Sequence, residues 1–225
     1  MEGVGTLRPL AEAAADLVTN GARVGLGTGR AASAVVRVLG ERVAAGLRFA
    51  GVPTSEATRA LAESLGIPLL TLADAGTLDL TIDGADEIDP RLDLIKGLGG
   101  ALLREKVVAA SSARLVIVAG EDKLVERLGV RTPLPVEVIP FALPLCVRRI
   151  AELGARPVLR GGADGAYLTD NRNHVLDCKF PEIADPAGLD RALRAIPGVA
   201  GTGLFVGMVE RALVLSGASV KTLVL

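Results

Sequence analysis

The chain has 225 residues, half of them hydrophobic, and a formal net charge of −1 at pH 7. That suits one large domain, or a domain with a smaller appendage, around a core that needs no staples. With no basic block, 2% aromatic residues, no Trp and only two separated cysteines, Cys146 and Cys178, the composition argues against nucleic acid or anionic membrane as partner and against a disulfide scaffold.

Leu10 to Val18 is Ala-rich with helical apolar spacing and ends at Asn20-Gly21. Arg23 to Leu26 reads as a short strand, Gly27-Thr28-Gly29 as a tight turn and Ala31 to Leu39 as a helix. Leu47 to Val52 is the next strand and Ser55 to Leu65 the next helix. Ile67 to Leu70 and Leu78 to Ile82 are short apolar runs bounded by turn residues, as buried strands are. Ala101 to Ser111 is a helix and Leu115 to Ala119 a β-branched strand. This alternation predicts an α/β fold with a mainly parallel sheet covered by helices on both faces. Near Thr132 the pattern changes to a proline-punctuated α+β segment of about 70 residues, a length typical of a small separate domain. It carries strands Val136 to Ile139, Ala155 to Leu159, Ala166 to Asp170 and Val175 to Cys178, with helices Leu143 to Leu153 and Gly188 to Ala195. Gly161-Gly162 and Asp164-Gly165 separate two of those strands. Arg211 to Ser216 and Val220 to Leu225 are expected to return to the first domain, giving 1–130 with 204–225 against 131–203. No uncharged apolar stretch reaches the ~18 residues of a bilayer span and no basic segment leads into an apolar N-terminal run, so a soluble, cytoplasmic chain is expected.

Gly25-Leu26-Gly27-Thr28-Gly29 joins a strand to a helix. Free amides, a positive dipole end and the Thr28 hydroxyl make an anion cradle there, to which Arg30 adds charge. The competing readings are a dinucleotide loop and a plain tight turn. A dinucleotide fingerprint wants a third glycine where Arg30 stands and an acid where Pro53-Thr54-Ser55 stands, and no Gly-Lys-Ser/Thr follows, so the loop favours a monophosphate.

Asp83, Asp86, Glu87 and Asp89 follow a buried strand, beyond whose carboxyl end ligands bind. Asp83 and Asp86 flank Gly84-Ala85, where small residues leave room; Glu87 and Asp89 read as a surface acidic turn. The lone His174, placed in a remote turn, and the separated cysteines offer no zinc set, while magnesium through Asp83 and Asp86 stays open. Lys96-Gly97-Leu98-Gly99-Gly100 runs into a helix carrying Glu105. A carboxylate base beside a lysine and a glycine-rich turn is the minimum equipment for moving a proton next to a carbonyl. A partly desolvated Glu makes a better base near neutral pH, yet spacing alone favours an exposed helix charge paired with Arg104 or Lys106. Lys123, after strand Leu115 to Ala119, is either a ligand contact or a surface cap.

Together these segments resemble ribose-5-phosphate isomerase of the A type. The matching stretches are Gly25 to Gly29, Asp83-Gly84-Ala85-Asp86-Glu87-Ile88, Lys96 to Lys106, Asp122-Lys123, Pro135 to Pro140, Thr169-Asp170-Asn171, Ile196-Pro197-Gly198-Val199 and Gly203-Leu204-Phe205, covering nearly the whole chain. The resemblance implies a Rossmann-like catalytic domain, a smaller α+β (ferredoxin-like) lid and oligomerisation domain, a homodimer or homotetramer, and no metal or organic cofactor. It implies interconversion of ribose 5-phosphate and ribulose 5-phosphate in the pentose phosphate pathway through a cis-enediolate. Carried over, Glu105 is the base, Asp83, Asp86 and Lys96 contact the sugar, Thr28 and Gly29 belong to the phosphate cradle and Lys123 is a further substrate contact. Gly84, Ala85, Gly97, Leu98 and Gly99 line the substrate.

The chain departs from the family pattern at Arg30 and Ala31, where hydroxyl residues are usual, at Leu98, where glycine is usual, and at Arg8, where a lysine near the phosphate is frequent. Leu98 bears on the loop's shape, since Leu avoids positive φ. The rival readings are a sugar-phosphate sensor that binds without turnover, a CoA-transferase-like enzyme using a glutamate nucleophile, and an amino-sugar phosphate deaminase. The intact Asp83, Lys96 and Glu105 disfavour the sensor.

Overall fold

The structure is a computed structural model that describes residues 7–162 and 165–225. Asp164, expected between two strands, lies outside the described residues. In chain order the elements are α1 (Arg8–Ala15), β1 (Arg23–Leu26), α2 (Arg30–Ala44), β2 (Ala50–Pro53), α3 (Glu56–Ser64), α4 (Leu72–Ala75), β3 (Leu80–Asp83), β4 (Glu87–Ile88), β5 (Leu94–Ile95), α5 (Leu102–Ala110) and β6 (Leu115–Gly120). There follow β7 (Leu134–Val138), α6 (Leu143–Glu152), β8 (Arg156–Leu159), β9 (Gly161–Gly162), β10 (Gly165–Ala166), β11 (His174–Lys179), α7 (Pro186–Arg194), β12 (Val199–Thr202), β13 (Leu204–Phe205), β14 (Arg211–Ser216) and β15 (Ser219–Leu223).

The chain divides into two compact units, Met1–Ala85 with Arg104–Lys123 and Met208–Leu225, and Asp86–Leu103 with Leu124–Gly207. The units interleave more than a division at 130 and 203 suggests. Asp86–Leu103 belongs with the second because β5 pairs with β13 and Ile88 bridges Leu124.

The first unit is built on a six-stranded sheet in the order β15-β14-β6-β3-β1-β2. All pairs are parallel except the β14–β15 edge. Every residue of β3 and the first five of β6 are buried, as an apolar run in a covered parallel sheet requires. Val24, Leu26, Ile82, Val116 and Val118 pack with Leu10 and Ala14 of α1 and Val35 and Leu39 of α2. The chain steps from β1 to β2 on one side, then to β3 on the other. The order therefore reverses between β1 and β3, and ligands of open α/β sheets bind beyond the carboxyl ends of strands at such a reversal. The strand expected at Ile67 to Leu70 is a single bridge from Leu69 to Gly51, because Pro68 has no N–H to extend a ladder.

The second unit holds an antiparallel sheet in the order β12-β7-β11-β8. With α6 and α7 it forms a β-α-β-β-α-β unit of the split βαβ kind. Leu134, Val136, Val138, Cys146, Ile150, Leu176 and Leu193 make its core. Only Ala166 of the strand expected at Ala166 to Asp170 pairs as one. Beyond it the chain turns, since Thr169, Asn171 and Asn173 all donate to Oε1 of buried Glu137. His174 opens β11 and is not in a turn.

Candidate active site

In the first unit, β1, β3 and β6 are parallel neighbours, so the segments after Leu26, Asp83 and Gly120 leave the sheet at one edge. Asp83 is buried, and its Oδ1 accepts from the amides of Gly84 (2.7 Å) and Thr28 (3.1 Å). Gly27 is dictated by this approach: a Cβ there would stand 2.5 Å from Cα of Asp83. The Thr28 hydroxyl lies 2.7 Å from Thr54 Oγ1, 2.8 Å from Ser55 Oγ and 3.0 Å from Thr58 Oγ1. Thr58 and Thr54 in turn donate to the carbonyls of Gly27 and Leu26. Thr28 thus spends both its amide and its hydroxyl on bracing the loop.

Gly29 caps α2 at φ +100°, with open space where a side chain would be. Arg30 is exposed at the first position of α2, whose first turn holds no acid. A cation at the positive end of a helix is unfavourable on its own and favourable once an anion sits there. Ala31 follows, half-buried; Gly84 and Ala85, also half-buried, continue from Asp83. Lys123 ends the short 3-10 turn after β6, its ammonium 3.6 Å from Asp122.

Glu105 lies in the first turn of α5 and is 5% exposed. It is therefore not the exposed helix charge that spacing favours. One turn on, Val108 packs with Val52, Ala75 and Leu78, and the i, i+3 relation puts Glu105 on the face of α5 that packs inward. Arg104 reaches Glu56 at 2.6 Å.

In the second unit, Asp86 Oδ2 accepts from the Leu98 amide at 2.9 Å. Lys96 is buried, donates its amide to Gly203 O and holds its ammonium 5.5 Å from the centre of the Phe205 ring. Gly97 and Gly100 have φ of +105° and +82°, and the Gly100 amide closes a turn onto Gly97 O. Glu87 is fully buried and accepts from the amides of Gly129, Arg131 and Thr132 and from the Thr132 hydroxyl. It is a structural anchor and not part of a surface turn. Asp89 closes its own turn by accepting from the amides of Arg91 and Asp93. Among the described residues no group of three or more His, Cys, Asp or Glu is placed to hold a metal ion.

The sequence profile of the ribose 5-phosphate isomerase A (phosphoriboisomerase A) family matches residues 50–218. The chain belongs to the ribose 5-phosphate isomerase A family. It is 57% identical to ribose-5-phosphate isomerase A of Roseiflexus castenholzii over 92% of this chain and 90% of that one, and 52% identical to that of Gloeobacter violaceus over 95% and 93%. Among solved structures, the ribose 5-phosphate isomerase A of Methanocaldococcus jannaschii superposes with a TM-score of 0.92 at 38% identity, covering 97% of each chain. A D-ribose-5-phosphate isomerase in complex with phospho-erythronic acid superposes with a TM-score of 0.95 at 34% identity, covering all of both chains.

Two departures from the isomerase A pattern find physical explanations. Leu98 does not take a positive φ, because the left-handed positions of its turn fall on Gly97 and Gly100. Its side chain is 41% exposed, so the substitution is sterically free. Arg8 does not extend toward the α2 start. It pairs with Glu12 at 2.7 Å and Glu41 at 2.9 Å, and Glu41 lies three turns along α2 from Gly29, roughly 18 Å at 1.5 Å per residue. The hydroxyls of Thr54, Ser55 and Thr58 escaped the sequence reading, although Thr54-Ser55 directly follows β2 at the same sheet edge. Arg160, which donates to the carbonyls of Gly97 and Leu98, and Asp177, which holds Arg160, carry no sequence signal.

Proposed function

We propose that this chain interconverts D-ribose 5-phosphate and D-ribulose 5-phosphate by proton transfer through a cis-enediolate. The carrying observation is family membership at 57% identity over nearly the whole chain. A buried carboxylate, Glu105, and a buried ammonium, Lys96, support it. In this reading Asp83 assists ring opening, its orientation held by two backbone amides. Glu105 takes the C2 proton and returns it to C1; one carboxylate serves both carbons because it stays on one face of the enediolate. Lys96 and the Gly99 amide of the Gly97–Leu98–Gly99 turn stabilise the developing oxyanion, where a single well-placed donor contributes about 10²–10³ in rate. Asp86 contacts the sugar and holds that turn through Leu98. The phosphate lies at the start of α2 against Gly29, Arg30 and Ala31, with Thr28 bracing the loop. Gly84 and Ala85 leave room for the sugar, and Lys123 adds a contact from the same sheet edge as Asp83. No hydride moves, so no nucleotide is called for.

The enzyme works as a homodimer or homotetramer in the cytoplasm; the exposed Phe141, Ile139 and Val158 of the second unit support self-association. Among the described residues no helix is long and apolar enough to cross a membrane.

The deciding experiment follows ribulose 5-phosphate formation in EDTA by wild type and Glu105→Gln. Turnover by wild type with a loss of at least about 10³-fold in the folded variant supports the assignment. Near-wild-type turnover by Glu105→Gln removes Glu105 as the base, and an inactive wild type overturns the isomerase reading.

A further inference from the structure

We propose that Arg160, held by Asp177, is a positioning residue that sets the amides of the Gly97–Leu98–Gly99 turn for the isomerisation. Arg160 directly follows β8, and Asp177 lies opposite Val158 on the neighbouring strand β11. The guanidinium donates to Asp177 through Nε (2.9 Å to Oδ2) and Nη2 (2.5 Å to Oδ1), a bidentate pair that fixes its plane. Its remaining nitrogen, Nη1, donates to both Gly97 O and Leu98 O at 3.0 Å. The side chains of the pair are 16% and 24% exposed, so it is largely withdrawn from solvent.

The consequence follows from the planar trans peptide, in which C=O and N–H point in opposite directions. Drawing the carbonyls of 97 and 98 onto Arg160 turns the amides of 98 and 99 away from it. The first of these meets Asp86 Oδ2. The second, on Gly99, faces the side opposite Arg160, at a residue whose Cβ position has nothing within 4 Å. Tyr167 backs the same turn: a Cβ on Gly100 would run into its ring, and Arg160 lies 5.7 Å from the centre of that ring. Gly97 and Gly100 make the turn pliable; a fixed planar cation on its carbonyls makes it rigid. Lysine at 160 cannot reproduce this, since a point-charge ammonium lacks the fork that holds Asp177 and two carbonyls in one plane.

This inference rests on the isomerase reading, and the test separates the two. kcat and KM for ribose 5-phosphate are measured with thermal midpoints for wild type, Arg160→Ala, Arg160→Lys, Asp177→Ala and the double alanine variant. Misplaced amides predict that kcat falls about 10- to 100-fold in Arg160→Ala while KM stays within about threefold. Arg160→Lys, which keeps the charge and so guards against misfolding, should also lose kcat. Asp177→Ala should lower kcat in wild type but add little in the Arg160→Ala background, because it acts through Arg160. Millimolar methylguanidinium should restore part of the Arg160→Ala rate, an effect that a loss of global stability would not show. Wild-type kcat in a folded Arg160→Ala or Arg160→Lys variant overturns the positioning role, as does strict additivity with Asp177→Ala. An inactive wild type overturns the isomerase reading instead.

Discussion

Replacing Gly27 by alanine tests the link between the β1–β3 crevice and catalysis. The new Cβ would stand 2.5 Å from both Cα and Cγ of Asp83, whereas carbon atoms rest at about 3.5–4.0 Å. Roughly 1 Å of separation is therefore needed, and the obstacle includes backbone. The strands cannot part without strain: Gly27 donates to Ile82 O at 2.9 Å, Leu26 lies in register with Ile82, and Thr28 donates to Asp83 itself. Overpacking of this kind costs about 1–3 kcal/mol, and backbone involvement points to the upper end. At about 2–4 °C per kcal/mol for a chain of this size, about 3 kcal/mol lowers the melting midpoint by about 6–12 °C. Displacing Asp83 by that distance lowers kcat by about 10²-fold. Gly84→Ala is the control for folding, because its Cβ meets only Thr28 O at 3.8 Å and Val118 O at 3.9 Å, ordinary contacts. Thermal unfolding followed by circular dichroism and initial rates of ribulose 5-phosphate formation read the two effects. A Gly27→Ala protein with wild-type midpoint and wild-type kcat would refute the reasoning.

Arg30→Ala should raise KM for ribose 5-phosphate about tenfold, the scale of one lost charge-assisted hydrogen bond, with a smaller change in kcat. Its melting midpoint should hold or rise slightly, since a cation leaves a helix N-terminus; an unchanged KM counts against a phosphate contact. Glu87→Ala removes the buried acceptor of three part-buried amides and a hydroxyl and should cost about 3 kcal/mol, with Glu87→Gln less damaging, as denaturant midpoints will report. Burial pushes the Cys178 thiol up to about 12 from an ordinary 9.0. The native thiol should resist alkylation at pH 8 until the chain unfolds. Because the folded state keeps this proton longer than the unfolded one, the stability linked to it is full below pH 9 and is lost as pH rises toward 12. Cys178→Ala should flatten that alkaline decline in the melting midpoint, and an identical slope in both proteins would argue against the linkage.

Much of the parallel sheet was legible because its signals are local. β1 was read to the residue, β6 and α6 to within one residue of their ends, and β14 to the residue, since apolar runs bounded by turn residues declare themselves over a few positions. The short strands β4, β5 and β13 are not legible, because two-residue strands have no periodicity and β5 meets β13 across more than 100 positions. Asp83, Asp86, Lys96 and Glu105 could be singled out by residue type beside glycine. What each does to its surroundings could not be. Burial separated Glu105 from an exposed helix charge, and burial with four donors turned Glu87 from a surface acid into an anchor.

Residue types and short-range spacing are carried by the sequence alone: the glycines that permit a cradle and a left-handed turn, the acids and lysine beside them, and the alternation that demands a parallel sheet. Tertiary structure alone decided which polar atoms those residues spend on one another. Thr28 braces a hydroxyl cluster from after β2, Leu98 escapes positive φ because its neighbours are glycine, and Arg160, 63 positions from Gly97, closes on that turn from a different sheet. The physical reason is that hydrogen-bond geometry and burial are set by chain segments distant in sequence, which no local pattern encodes.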